Sequence, residues 1–106
     1  MLTSEIEELK NCFMKELLPF RIYLFGSFAE GKENADSDYD FYIVVDDSKK
    51  NMLDLTVRAY RSIRHKRKRP VDIIVNTKSR YESRIDIPLS VEKQVANKGV
   101  LLYETL

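Results

Sequence analysis

Two aspartates stand two residues apart in the segment GSFAEGKENADSDYD, at Asp38 and Asp40, and a third, Asp72, interrupts the apolar run VDIIV. In an extended strand, side chains at i and i+2 project to the same side, with Cα atoms roughly 6–7 Å apart. Carboxylates that close repel one another unless a cation lies between them. Mg²⁺ suits such a pair, because it takes hard oxygen ligands and keeps coordination positions for substrate phosphates. Asp72 alternates with Val71 and Ile73, so it turns away from the face those two bury, and it joins the set if its strand lies beside the first. Two metal ions on three such acids can position an attacking hydroxyl and stabilise a leaving pyrophosphate.

The same segment opens on Gly26-Ser27. Glycine lets a chain turn sharply at a strand end and approach a ligand closely. Backbone N–H groups at the start of a following helical turn bind phosphate oxygens, and the Ser27 hydroxyl adds a donor. Anion-binding and cation-binding groups therefore fall on adjacent strand ends, as transfer from a metal-bound triphosphate requires.

The elements that must hold these groups are legible from periodicity. Ser4–Leu18 reads as an amphipathic helix with a capping box at Ser4 and Glu7 and a stripe of Ile6, Leu9, Phe13 and Leu17, stopped by Pro19. Arg21–Phe25 is a first strand, followed by a tight turn, with a short helix opening at Ser27, and a loop to Ser37. Tyr39–Val45 alternates, with Tyr39, Phe41, Ile43 and Val45 on one face and Asp38, Asp40, Tyr42 and Val44 on the other. Lys50–Lys68 reads as a second helix, closed by Pro70, and Val71–Val75 as a third strand. A short helix over Ser79–Ile85, another over Pro88–Asn97 with Pro in its first turn and Gly99 as its C′ residue, and a last strand Val100–Tyr103 complete the order. The fold class is α/β (α+β), a small mixed β-sheet covered by helices.

The 106 residues fit one domain, 1–106, with no room for a second core. A 43% hydrophobic and 33% charged composition is that of a soluble globular protein and argues against disorder. Cys12 is the only cysteine, so an intrachain disulfide is excluded. No apolar run is long enough to span a bilayer, and the acidic, periodic opening MLTSEIEELK is unlike a signal peptide. A cytoplasmic protein with no membrane contact is expected. An enzyme this small often borrows part of its substrate site from a partner or a second copy, which leaves an oligomer open.

A glycine-serine pair, ten intervening residues and D-x-D resembles the signature of the nucleotidyltransferase superfamily that includes DNA polymerase β and kanamycin nucleotidyltransferase. The short length, Asp72 in VDIIV and the ending KGVLLYE are similar to its minimal nucleotidyltransferase (MNT) group, and the likeness runs from the first helix to Tyr103. The resemblance implies a nucleotidyltransferase fold and Mg²⁺-dependent transfer of AMP from ATP. It makes Asp38, Asp40 and Asp72 metal ligands and catalytic residues, with Asp72 also the base, and places Gly26 and Ser27 on the triphosphate. Many MNT proteins look like antitoxins paired with a HEPN-domain ribonuclease toxin, whose tyrosine they adenylylate. Relatives often carry arginines after the glycine-serine pair, as in GSRARG, where this chain has Phe28 and Glu30. Its nucleotide site is then weaker or supported differently.

Other readings of these residues fare worse. Asp36, Asp38 and Asp40 could begin a Ca²⁺-binding EF-hand loop, but that loop needs Gly at its sixth position and Glu at its twelfth, where Phe41 and Asp47 stand. The run RSIRHKRKR, Arg61 to Arg69, reads first as a solvated helix end whose charge complements the dipole, and second as a grip on nucleic acid or an acidic partner. His65, the one histidine, has no Ser or Cys partner in evidence and belongs with that basic face. Tyr42 shares a face with the acids, so it either lines the nucleotide pocket or packs under a helix.

Overall fold

A threonine, not the serine after it, caps the first helix: in the computed structural model, which describes residues 3–105, Thr3 Oγ1 accepts the Ile6 N–H at 3.1 Å. Helix α1 (Ser4–Leu17) buries the expected stripe of Ile6, Leu9, Phe13 and Leu17 and ends on Leu18 in the left-handed region at φ 48°. Next come β1 (Arg21–Phe25) and, after a loop, β2 (Tyr39–Val45). The rest of the chain forms α2 (Met52–Ser62), β3 (Val71–Thr77), α3 (Lys78–Arg84), α4 (Val91–Lys98) and β4 (Val100–Glu104).

The four strands form one mixed sheet in the order β3-β2-β1-β4, with β2 and β3 parallel and the other pairs antiparallel. The two faces of β2 supply two cores, as its alternation requires. Phe41, Ile43 and Val45 join Ile22, Leu24, Ile73 and Val75 beneath the stripes of α1 and α2. On the opposite face Tyr42 and Val44 pack with Phe25, Tyr81 and Val95 beneath α3 and α4. Among the described residues no helix is long and apolar enough to cross a membrane.

β3 runs two residues past the expected Val75, the other element ends shift by at most a residue or two, and three larger differences from the sequence reading stand out. Helix α2 stops at Ser62 rather than Lys68, and residues 63–66 are turn, so most of the basic run lies beyond the helix. Pro88 precedes α4 instead of opening it; Ser90 is the cap, its hydroxyl accepting the Lys93 N–H at 3.0 Å. Gly99 is no left-handed C′ residue, since its φ is −73°. It is small because a Cβ there would lie 2.5 Å from the Val95 carbonyl oxygen and 3.3 Å from that of Leu24. The chain can thus leave α4 and pair at once with β1.

The α3–α4 layer is fastened to the sheet by a buried carboxylate. Glu92, 5% exposed, accepts the Tyr42 hydroxyl at 2.7 Å and the Arg84 Nε–H at 3.0 Å, while Asn76 donates to Tyr42 Oη at 3.2 Å. Tyr42 is therefore a packing residue, fully buried against Tyr81. Burial alone would raise the Glu92 pKa, but the hydrogen bonds from Tyr42, its own backbone and Arg84 outweigh it and hold the carboxyl below its ordinary value. Glu92→Gln leaves a buried donor facing a donor and should cost about 1–3 kcal/mol, lowering the melting temperature by several degrees. A carboxyl depressed in the fold stabilises above its unfolded pKa and loses that contribution as pH falls through the folded value. The gap between wild type and variant should accordingly be full at neutral pH and close on acidification below the unfolded value of 4.5; a gap independent of pH would contradict the ionised network.

Candidate functional site

The sheet brings the singled-out residues to one end. Phe25, the last residue of β1, pairs with Asp40, and Asp40 in turn is the register partner of Asp72 across the parallel β2–β3 ladder. Adjacent residues of a ladder point to the same side, so Asp40 and Asp72 share the face covered elsewhere by α3 and α4. Asp40 is half-buried and its pKa is pushed up to about 6, first by burial, then by the charges of Asp72 and Asp38 and by a side-chain hydrogen bond with Asp72. Asp72 itself is exposed, and Asp38, two residues before Asp40 at the strand entry, is half-buried.

Gly26 closes the third side. Its φ is +76°, and a Cβ built on it would collide with Asp40 Oδ2. Backbone and carboxylate are in near contact, so any side chain at this position would displace the carboxylate. After Gly26 the chain makes a single helical turn, with the Glu30 N–H donating to the Gly26 carbonyl at 3.1 Å and the Lys32 N–H to that of Ser27 at 2.9 Å. Residues 27–31 are turn rather than a helix. The half-buried Ser27 sits at its start, on the strand end next to Asp40.

The approach to Asp38 is fixed by a device that the sequence reading missed. Asn34 Oδ1 accepts the Asp36 N–H at 2.8 Å, and the Ser37 hydroxyl accepts the Asn34 N–H at 2.9 Å. Arg69, from the basic run, donates to the Ser37 carbonyl at 2.8 Å and lies over the rings of Phe28 and Tyr39 at 4.9 and 5.4 Å. Phe28 thus packs on Tyr39 with ring centroids 4.6 Å apart and gives a distant arginine its platform. Only the aromatic–cation composition of the two segments hinted at the pairing.

Other parts of the basic run are also spent on structure. The Lys68 N–H donates to Glu5 at 2.6 Å, and Lys66 pairs with Glu8 at 3.8 Å. Arg61, Arg64 and Arg67 instead line a shallow surface depression with Val57 and Tyr60.

Among the described residues no three His, Cys, Asp or Glu side chains already close on a common point as metal ligands. The carboxylates nevertheless fit Mg²⁺. That ion keeps several waters and takes one or two protein carboxylates together with substrate phosphates, so it needs no all-protein cage. The crowding that raises the Asp40 pKa is what a divalent cation between Asp40 and Asp72 would relieve.

Comparison with known proteins bears on the family and the fold. The family described as polymerase beta, nucleotidyltransferase, matches residues 7–105. No curated protein sequence matches the chain significantly. Among solved structures, a toxin–antitoxin crystallised with AMP-PNP is similar at 21% identity and a TM-score of 0.58, over 97% of this chain and 75% of that one. A Sulfolobus solfataricus protein described as a nucleotidyltransferase is 24% identical with a TM-score of 0.63, over 94% and 78%. The MntA–HpeT toxin–antitoxin, in a variant with two Asp-to-Glu changes, is 20% identical with a TM-score of 0.54, over 97% and 75%. At these identities the likeness is one of fold.

Proposed function

Because the chain belongs to the polymerase β nucleotidyltransferase family, we propose that it is a minimal nucleotidyltransferase domain that transfers AMP from ATP to a protein hydroxyl in the cytoplasm. The acceptor is a tyrosine of a HEPN-type toxin, and the transfer silences that toxin. The observation that carries the reading is the contact of the Gly26 turn with Asp40, which stands in register with Asp72. A phosphate-binding turn and a carboxylate pair in van der Waals contact have little use except on a metal-bound polyphosphate.

Gly26 and the N–H groups after it bind the triphosphate, with the Ser27 hydroxyl as a further donor. Asp38, Asp40 and Asp72 would hold Mg²⁺, which supplies charge neutralisation at the phosphates and a fixed position for the attacking oxygen. The acceptor oxygen forms a bond to the α-phosphorus as the bond from that phosphorus to the α–β bridging oxygen breaks, and pyrophosphate leaves with the electron pair. Asp72, the most exposed of the three carboxylates, takes the acceptor's hydroxyl proton.

Incubated with Mg²⁺, α-labelled ATP and a HEPN-type toxin, the chain should label that partner on tyrosine, and excess chelator should abolish the labelling. Relief of the partner's ribonuclease activity without ATP, and with no label, would instead identify a module that acts by contact alone. The depression lined by Arg61, Arg64 and Arg67 supports a second reading, in which the acceptor is a nucleic acid end. Label on RNA rather than protein, weakened by neutralising those three arginines and by salt, would select it.

A further inference from the structure

Helix α4 reaches the site from the side opposite the basic run. Its last residue is followed by Gly99 and then Val100, which pairs with Leu24 near the end of β1, so Asn97 and Lys98 lie at the end of the sheet that carries Gly26 and Asp40. Val95 of α4 packs in the core with Tyr42, on the face to which Asp40 and Asp72 point. Between α4 and the turn after Gly26 runs a groove of about 490 Å³ lined by Glu30, Leu89, Lys93, Gln94 and Lys98, among others. That volume falls in the range of small-ligand sites.

The lining is graded along the helix. At the carboxylate end, Lys98 stands 3.8 Å from Glu30, and Lys32 stands 3.7 Å from the same carboxylate, so two cations share one counter-charge beside the turn. Lys93 and Gln94 follow one turn up. At the far end is Leu89, fully exposed and in the left-handed region at φ 65°, an unfavourable backbone for a leucine. Its exposed side chain puts an apolar surface at the rim of an otherwise polar groove. From Val91 to Lys98 the helix rises about 10 Å at about 1.5 Å per residue, a span comparable with an extended nucleotide.

We propose that this groove seats the nucleoside triphosphate, with the phosphates beside Lys98 and Lys93 at the Gly26 end and the base against Leu89. The proposal rests on the nucleotidyltransferase reading and deepens it, giving the triphosphate cations from α4 in place of arginines after the glycine-serine pair. It also gives Glu30 a purpose, since this glutamate holds Lys98 and Lys32 beside the turn.

The test is calorimetric titration of the full chain with Mg-ATP and, separately, with Mg-tripolyphosphate. Lys93→Ala/Lys98→Ala should weaken both ligands at least about tenfold, and Lys98→Arg should restore most of the affinity. Leu89→Gly, which relieves the backbone strain and so keeps the fold, should weaken Mg-ATP several-fold and leave Mg-tripolyphosphate unchanged. In transfer assays the lysine variant should raise KM for ATP without raising KM for the acceptor. Unchanged ATP affinity in all these variants, with transfer still abolished in Asp40→Asn, overturns the groove assignment and leaves the family reading standing. A raised acceptor KM with unchanged ATP affinity overturns it in favour of an acceptor groove. A wild-type chain that binds neither ligand overturns both.

Discussion

Asp40→Asn should lower AMP transfer by at least about 10³-fold, in the range seen when a group stabilising transition-state charge is removed, and at the same time raise the melting temperature of the metal-free protein at pH 8. The first effect follows from position. Asp40 is the carboxylate in contact with both the Gly26 turn and Asp72, so its loss removes the charge between the phosphate site and the second acid. The second follows from its titration. The fold raises its pKa from 3.8 to about 6, chiefly by burial and then by the neighbouring acids. A carboxyl whose pKa is raised stabilises the fold fully below its unfolded value and loses that contribution as pH climbs through the folded one. Above pH 6 the ionised Asp40 is consequently a cost to the native state, about 1–2 kcal/mol after allowance for its partial exposure, and asparagine does not incur it. Thermal melts should show the variant more stable at pH 8 and the advantage vanishing near pH 4. Added Mg²⁺ should raise the melting temperature of the wild type at pH 8 and raise that of the variant much less. A variant that melts lower than wild type at pH 8 without metal would refute the crowded-carboxylate account.

Gly26→Ala should be the most damaging change outside the acids. The new methyl meets two obstacles: φ of +76°, which alanine tolerates poorly, and Asp40 Oδ2, into which its Cβ is built. The backbone term alone costs about 1–2 kcal/mol, and relieving the collision moves a carboxylate that must hold its place to within a fraction of an ångström. Displacement of about 1 Å in a reacting group can cost on the order of 10²-fold in rate. Gly31 provides the control, because its φ is +70° but nothing lies within 4 Å of a Cβ there. Gly31→Ala should show the backbone cost in a melt and retain transfer; Gly26→Ala should show both losses. Equal transfer by the two variants would mean that the contact with Asp40 has no catalytic consequence.

The part of this site that is local in sequence was readable there. Asp40 and Asp72 declare themselves by interrupting otherwise apolar strands, Asp38 stands two residues before Asp40 at the strand entry, and the two-residue period correctly sorts β2 into its two core faces. Local pattern failed where no stop residue or only a weak one intervened. The polar run after Ser62 contains no Gly or Pro before Pro70, so pattern alone carries helix α2 to Lys68, and Pro88 is a weaker start signal than the cap at Ser90 that the fold uses. Contacts across long separations left almost no trace. Glu92 looks like a surface acid in a first helical turn, yet it is buried by a tyrosine 50 residues earlier. Arg69 looks like one cation among many until the fold lays it over Phe28 and Tyr39, 41 and 30 residues earlier in the chain.

The near contact between Gly26 and Asp40 also orders how such a chain can decay. As long as the carboxylate is present, no side chain can enter at position 26, so the glycine is held by a steric veto as well as by its backbone angle. Once position 40 has shrunk to alanine or serine the veto lapses, and only the angle remains, which asparagine can satisfy. A lineage that abandons chemistry and survives as a binding partner should therefore lose the acid first and the glycine second. Descendants with an intact acid and a substituted glycine should be rare, and the reverse combination common.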